Sequence, residues 1–105
     1  VTMSDAIEVT TFKLKRGATV ADFIAANADI DAWLKRQKGF KSRSIAQRPD
    51  GTIIDMLRWA SVEDGERAAR GVVTEMANSP VHDLIDQRTV DWTVAPVRHH
   101  LERGR

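Results

Sequence analysis

Cysteine and tyrosine are absent from this chain of 105 residues, aromatic residues make up only 6% of it, and proline occurs three times. Without cysteine there is no disulfide, no thiolate nucleophile and no Cys-ligated zinc or iron–sulfur centre. No apolar run approaches the roughly 20 residues that span a bilayer. The opening Val1-Thr2-Met3-Ser4-Asp5 also lacks the basic-then-apolar order of a signal peptide. The expectation is a cytoplasmic protein with no membrane partner. An excess of one charge is missing as well, since 16 Lys+Arg stand against 15 Asp+Glu for a net charge of +1. Nucleic-acid readers carry a net basic face, so no nucleic-acid partner is expected.

What is present is ordinary globular composition, 42% hydrophobic and 30% charged, enough for one domain with one core. That domain is expected to span residues 1–105, with a core over about 7–97 and a polar tail at 98–105. Charge is uneven along the chain. Residues 1–48 hold nine Lys/Arg and five acids, whereas residues 49–96 hold four and nine. The two halves are expected to neutralise each other within the fold or across a subunit contact.

Ile7 to Leu14 is rich in β-branched and aromatic residues and reads as a strand. Thr19 with Asp22 three residues on forms a capping-box pair, opening a helix from about residue 20 to 37 whose apolar stripe weakens near Asn27. Phe40 to Arg48 and Thr52 to Ala60 read as two strands around Pro49-Asp50-Gly51, a tight-turn signal. Ser61 caps a second helix, with Asp64 three residues later, and Ser79-Pro80 breaks it. Val81 to Ile85 reads as one more turn. Arg88 to Val97 reads as a last strand, placed at a sheet edge by Pro96. The order is β-α-β-β-α-β. That is an α+β, ferredoxin-like arrangement, a four-stranded antiparallel sheet with the helices on one face.

The third strand is apolar on both sides. Ile53, Leu57 and Trp59 share one face, and Ile54, Met56 and Ala60 share the other. Helices on one face leave the other uncovered, and large exposed apolar patches are uncommon on monomers. A second copy packed sheet to sheet supplies the cover, so a homodimer is expected.

These features, with the Trp59-Ala60-Ser61 run, Ser79-Pro80, the Gly39-Phe40 pair and Glu8 in strand one, resemble the dimeric α/β-barrel superfamily. The likeness is to its antibiotic-biosynthesis-monooxygenase-like members and covers about residues 7 to 97. It implies a sheet-to-sheet dimeric α/β barrel. Members of that group include cofactor-free quinone-forming oxygenases, haem-degrading oxygenases, stress-response proteins and proteins of unknown function. Fold does not decide among them. The resemblance places the strand-one Asn, the Trp late in helix two and the following His of haem-degrading members at Thr10, Met76 and Asp86. None of the three is kept, which argues against haem degradation. It also places functional residues of members that oxidise small aromatics near His82. The missing tyrosine removes a phenol that some cofactor-free members use to position substrate.

Asp55 is an acid inside an otherwise apolar strand, and burial would fit it to act as a general base or ligand anchor. The competing reading pairs it with Arg43 or Arg58. If Asp50-Gly51 is a two-residue turn, Ser42 faces Trp59, Ser44 faces Leu57 and Ala46 faces Asp55, leaving room for a ligand beside small residues. A three-residue turn would flip these facings. Glu8 shares a side with Thr10 and Phe12 and is a candidate second pocket acid. Trp59 and Trp92 are candidate pocket walls. His82 is a candidate catalytic histidine or a helix cap. His99, His100 and Glu102 lack a third spaced ligand in a fixed element, so no metal site is expected. No cofactor is expected, since no phosphate loop or nucleophile elbow is present.

The sequence therefore points to a small-molecule-binding dimeric α/β-barrel protein, with a small aromatic as its ligand. The alternative is a cofactor-independent monooxygenase acting on an electron-rich aromatic, with Asp55 or His82 as base. The two part on whether Asp55 faces an enclosed lumen freely or lies in a satisfied ion pair.

Overall fold

The computed structural model describes residues 4–104. Strands β1 (Ala6–Phe12), β2 (Phe40–Gln47), β3 (Ile53–Trp59) and β4 (Asp91–Pro96) form one sheet in the order β2-β3-β1-β4, every pair antiparallel. Three helices, α1 (Val20–Ala26), α2 (Ala28–Leu34) and α3 (Val62–Val73), accompany it, with 3-10 turns at Pro80–Leu84 and Gln87–Thr89. The ferredoxin-like α+β architecture read from the sequence is the one observed, and β4 with its Pro96 lies at the edge. Among the described residues no helix is long and apolar enough to cross a membrane.

The helix starts follow their caps. Thr19 Oγ1 accepts from Asp22 N while Asp22 Oδ2 accepts from Thr19 N, so the capping box forms in full. Ser61 likewise accepts from Asp64 N to open α3. The first helical stretch differs from the single span expected. It breaks at Asn27, which ends α1 and begins α2. Asn27 Nδ2 donates back to the Phe23 carbonyl at 2.8 Å, the local competition with the helical ladder that makes asparagine a weak helix former.

The hairpin between β2 and β3 corrects the expected register. Ser44 pairs with Met56, Ile45 with Asp55 and Ala46 with Ile54, one residue away from a two-residue turn. The turn is Pro49-Asp50-Gly51, closed by Arg48 N to Thr52 O and by Gly51 N to Arg48 O, both 2.9 Å. Gly51 has φ +91°, the left-handed residue that ends a three-residue loop. Proline gives the physical reason. A two-residue turn at Asp50-Gly51 would pair Pro49 with Thr52 and require an N–H that Pro49 does not have. The consequence is a flip of the whole strand. Arg43 and Ile45 face the helices, while Ser42 and Ser44 face away with Met56. An irregularity between Phe40 and Ser42 then returns Phe40 opposite Trp59, with the rings edge to face at 5.5 Å.

The core lies between sheet and helices, with Phe12, Phe23, Ile30, Trp33, Leu34, Ile53, Leu57 and Trp59 all buried in it. On the opposite face Ile7 and Met56 remain 38% and 44% exposed. Trp33 packs so closely on α3 that a Cβ on Gly71 would come within 2.6 Å of its ring. An alanine inside a helix normally gains about 1 kcal/mol over glycine. Here overpacking against a rigid buried indole costs about 1–3 kcal/mol. Gly71→Ala is therefore expected to lower stability in a urea melt, reversing the ordinary helix trend.

Candidate functional site

The inner face of the sheet and the helices enclose a cavity of about 560 Å³. Alternation along the strands selects its floor: Glu8 and Thr10 from β1, Arg43 from β2, Asp55, Leu57 and Trp59 from β3, and Trp92 from β4. Phe23, Asn27 and Ile30 line it from α1, α2 and the bend between them, and Ala69 and Val72 line it from α3. Among the apolar lining residues, Val73 at 65%, Val90 at 40% and Trp92 at 42% are the exposed ones, and Glu66, Arg70 and Gln87 are exposed as well. They place the mouth between α3 and the β4 edge.

Glu8 sits on β1, one of the two inner strands, and is only 7% exposed. Trp59 Nε1 donates to its Oε1 at 2.8 Å, and Trp92 Nε1 donates to its Oε2 at 2.7 Å. Each carboxylate oxygen thus takes one indole N–H. Desolvation by burial pushes the Glu8 carboxyl above its ordinary value, the two indole bonds pull it back, and the Asp55 charge adds to the rise. The net direction is upward.

Asp55 lies in an ion pair. Arg43 Nε donates to Oδ1 at 3.0 Å and Arg43 Nη2 to Oδ2 at 2.6 Å, a two-pronged contact with both side chains 11% exposed. Arg43 Nη1 continues to Asp31 Oδ1 at 2.8 Å, tying β2 to α2. Burial pulls the guanidinium down, but the bonds and charges of Asp55 and Asp31 carry it above its usual value. Asp55 therefore borders the cavity and is also held by a cation. Here charge from the basic first half meets charge from the acidic second half, as it does at Lys13–Asp50.

His82 lines the cavity from the turn after Pro80. Its Nε2 lies 3.1 Å from Val72 O and 3.0 Å from Met76 O. Both partners are carbonyls, so Nε2 carries the hydrogen and the ring caps the end of α3. Of the eight site residues expected, Glu8, Thr10, Asp55, Trp59, His82 and Trp92 meet around the cavity. Ser42 and Ser44 do not. The one-residue register correction puts them on the outer face, in a smaller hollow with Ile7, Met56, His99 and His100. Asp86, aligned by resemblance with a haem-member histidine, caps the Gln87–Thr89 turn and pairs with Arg88.

Sequence reasoning missed Arg43 as a cavity residue and Asn27 altogether. Arg43 would have followed from the three-residue turn. Asn27 is 1% exposed and borders the cavity, and among the described residues its Oδ1 has no hydrogen-bond partner. Its only signal was a polar residue in the weak turn of an amphipathic stretch.

Sheet order, helices on one face and an inner cavity define a ferredoxin-like α+β domain. Solved structures with that arrangement include SnoaB, a cofactor-independent oxygenase from Streptomyces nogalater, 18% identical over 93% of this chain and 97% of that one, with a TM-score of 0.72. A monooxygenase from the Streptomyces coelicolor gene ActVA-Orf6, in complex with nanaomycin D, is 16% identical over 97% and 95%, with a TM-score of 0.72. A Bordetella bronchiseptica protein provisionally named an antibiotic biosynthesis monooxygenase is 12% identical over 90% and 97%, with a TM-score of 0.74. At such identities the likeness establishes the fold alone. No family model matches the chain, and no curated protein matches it.

The Arg43–Asp55 geometry makes a sharp prediction. Asp55→Asn leaves a buried guanidinium with only Asp31 as its anion, and breaking such a pair costs about 3 kcal/mol. Thermal melts at pH 7 are expected to show the variant clearly less stable than the wild type.

Proposed function

We propose that the protein binds a small, largely apolar molecule in the cavity between its sheet and helices. The observation that carries this reading is the cavity itself, about 560 Å³, walled by aromatic and aliphatic side chains with a few polar groups among them. Ligand sites have this size and character. Binding of nanaomycin D by one structural neighbour supports the same use of the fold. An aromatic ligand is favoured by Trp92, whose half-exposed ring borders the space.

The alternative, a cofactor-independent monooxygenase, needs a base free to take a proton from its substrate. Asp55 is clasped by Arg43, Glu8 already accepts from two indoles, and the Nε2 of His82 faces two carbonyls. Binding is therefore the reading adopted over catalysis. A cysteine-free chain accords with a cytoplasmic setting.

Ala69 lines the cavity from α3 next to its mouth. Ala69→Phe fills space that a ligand would occupy. With 1-naphthol as probe, the wild type is expected to show saturable quenching of tryptophan fluorescence, and the variant at least about tenfold weaker binding, the loss of roughly 1.4 kcal/mol. Absence of saturable binding to the wild type would overturn the proposal.

We further propose that the outer sheet face is covered by a second copy. Ile7, Val9, Ile54 and Met56 share that face, with Ile7 and Met56 well exposed. Apolar area of this kind on a central strand pair is characteristic of interfaces. Light scattering is expected to return twice 11.7 kDa. Met56→Lys, which puts a charge into that face and touches no cavity residue, is expected to return the monomer mass.

A further inference from the structure

We propose that Glu8 is the latch of the cavity and Trp92 its door: the ionised carboxylate holds the Trp92 indole at the mouth, and a proton on that carboxylate lets the indole go. The inference rests on the cavity being a binding site and concerns how a ligand enters it.

The two indoles on Glu8 are not equivalent. Trp59, which donates to Oε1 at 2.8 Å, lies on the inner strand β3 and is fully buried. Trp92, which donates to Oε2 at 2.7 Å, lies on the edge strand β4 and is 42% exposed. An ionised carboxylate has lone pairs for both donors. Once protonated, one of its oxygens becomes an O–H donor, and one indole N–H loses its acceptor. If Trp59 lost it, a donor closed off from water would be stranded at the full cost of its desolvation. Trp92 already meets solvent and can turn its N–H to water. The proton therefore releases Trp92.

An indole has a single polar atom, so the bond to Glu8 is the whole of Trp92's polar anchorage. The ring stands at the mouth with Val73 and Val90, among the exposed Glu66, Arg70 and Gln87. Charges around Glu8 come from every side of the cavity. Burial disfavours its ionised form and Asp55 on β3 adds to that, against the pull of both indoles and of Arg43 on β2, and the balance lies above the ordinary glutamate value. Asp55 is clasped by Arg43, which also holds Asp31 on α2. Glu66 and Arg70 line the cavity from α3, and His82 lines it from the turn after Pro80, its Nε2 held by the Val72 and Met76 carbonyls.

Indole N–H signals in ¹H–¹⁵N spectra test this, assigned by Trp92→Phe and by through-space contacts. In the wild type, acidification is expected to carry the Trp92 signal from a hydrogen-bonded position to that of indole free in water, while Trp59 keeps its bonded position. Glu8→Gln, with one acceptor in place of two, is expected to show the free Trp92 position at pH 7 and no response to acid. In stopped flow at pH 7, 1-naphthol is expected to associate about tenfold faster with Glu8→Gln than with the wild type, the rise in open population that loss of one charge-assisted hydrogen bond gives. A Trp92 signal unmoved in Glu8→Gln, an acid response that persists there, or release of Trp59 in place of Trp92 overturns the proposal. Should Glu8→Gln not fold, the wild-type titration is read against the Glu8 side-chain carboxyl ¹³C signal, and unequal midpoints overturn it. Unchanged 1-naphthol association with Trp92 released overturns it as well, because the mouth then lies elsewhere. If 1-naphthol shows no saturable binding to the wild type, the binding reading fails and this inference with it.

Discussion

Glu8 places a carboxylate on an inner strand of the sheet, beneath the helices, and the architecture around it has to meet the cost of that charge. An unsatisfied carboxylate in such a place would not stay ionised. Two tryptophans answer it, Trp59 from β3 on one side and Trp92 from β4 on the other. The sheet order makes this possible, since β1 is the strand with β3 and β4 as its two neighbours. The same bonds fix the indole planes that wall the cavity. A glutamate, two strand pairings and the shape of the binding space are therefore one constraint.

Arg43 does for the other side of the cavity what Glu8 does for the first. It joins β2 to β3 through Asp55 and β2 to α2 through Asp31. A buried ion pair is weak evidence of net stability, because desolvation consumes much of the attraction. Its contribution is better seen as position. With both aspartates anchored to one planar guanidinium, the middle of α2 is held against the strands at a fixed distance.

How much of this the sequence discloses depends on the range of the interaction. Strand and helix order was legible because its signals are local: the Thr19–Asp22 box and the Ser61 cap, although the second long helix ends at Val73, well before Pro80, which opens a 3-10 turn. That Glu8 shares a side with Thr10 and Phe12 was legible from alternation, but that a glutamate there is buried was not, since a solvent-facing Glu8 at the strand start fitted the sequence equally well. The hairpin register was also written locally, in Pro49, whose missing N–H excludes a two-residue turn, but the Asp-Gly pair was given more weight. That single slip put Ser42 and Ser44 in the cavity and kept Arg43 out of it. Asn27 was not legible by any periodic rule. Its importance comes from a bend that its own side chain creates, and from helices and strands meeting around it in three dimensions.

The two faces of the sheet divide the labour. Side chains turned inward carry the charges and indoles, each engaged by a partner fixed by strand pairing, so the cavity presents a rigid surface with few free valences. Side chains turned outward on the β2–β3 pair are mostly small or aliphatic, with Ser42, Ser44 and Ala46 beside Met56 and Ile54 and with Arg58 opposite Ser42, a surface suited to approach by another sheet. Because residues alternate, the register that buries Arg43 is the register that exposes Ser44. One residue of slip would remove the ion pair from the cavity and put a guanidinium on the apolar outer face. The three-residue turn at Pro49-Asp50-Gly51 therefore determines both surfaces at once, the one that borders the cavity and the one on the outer face of the sheet.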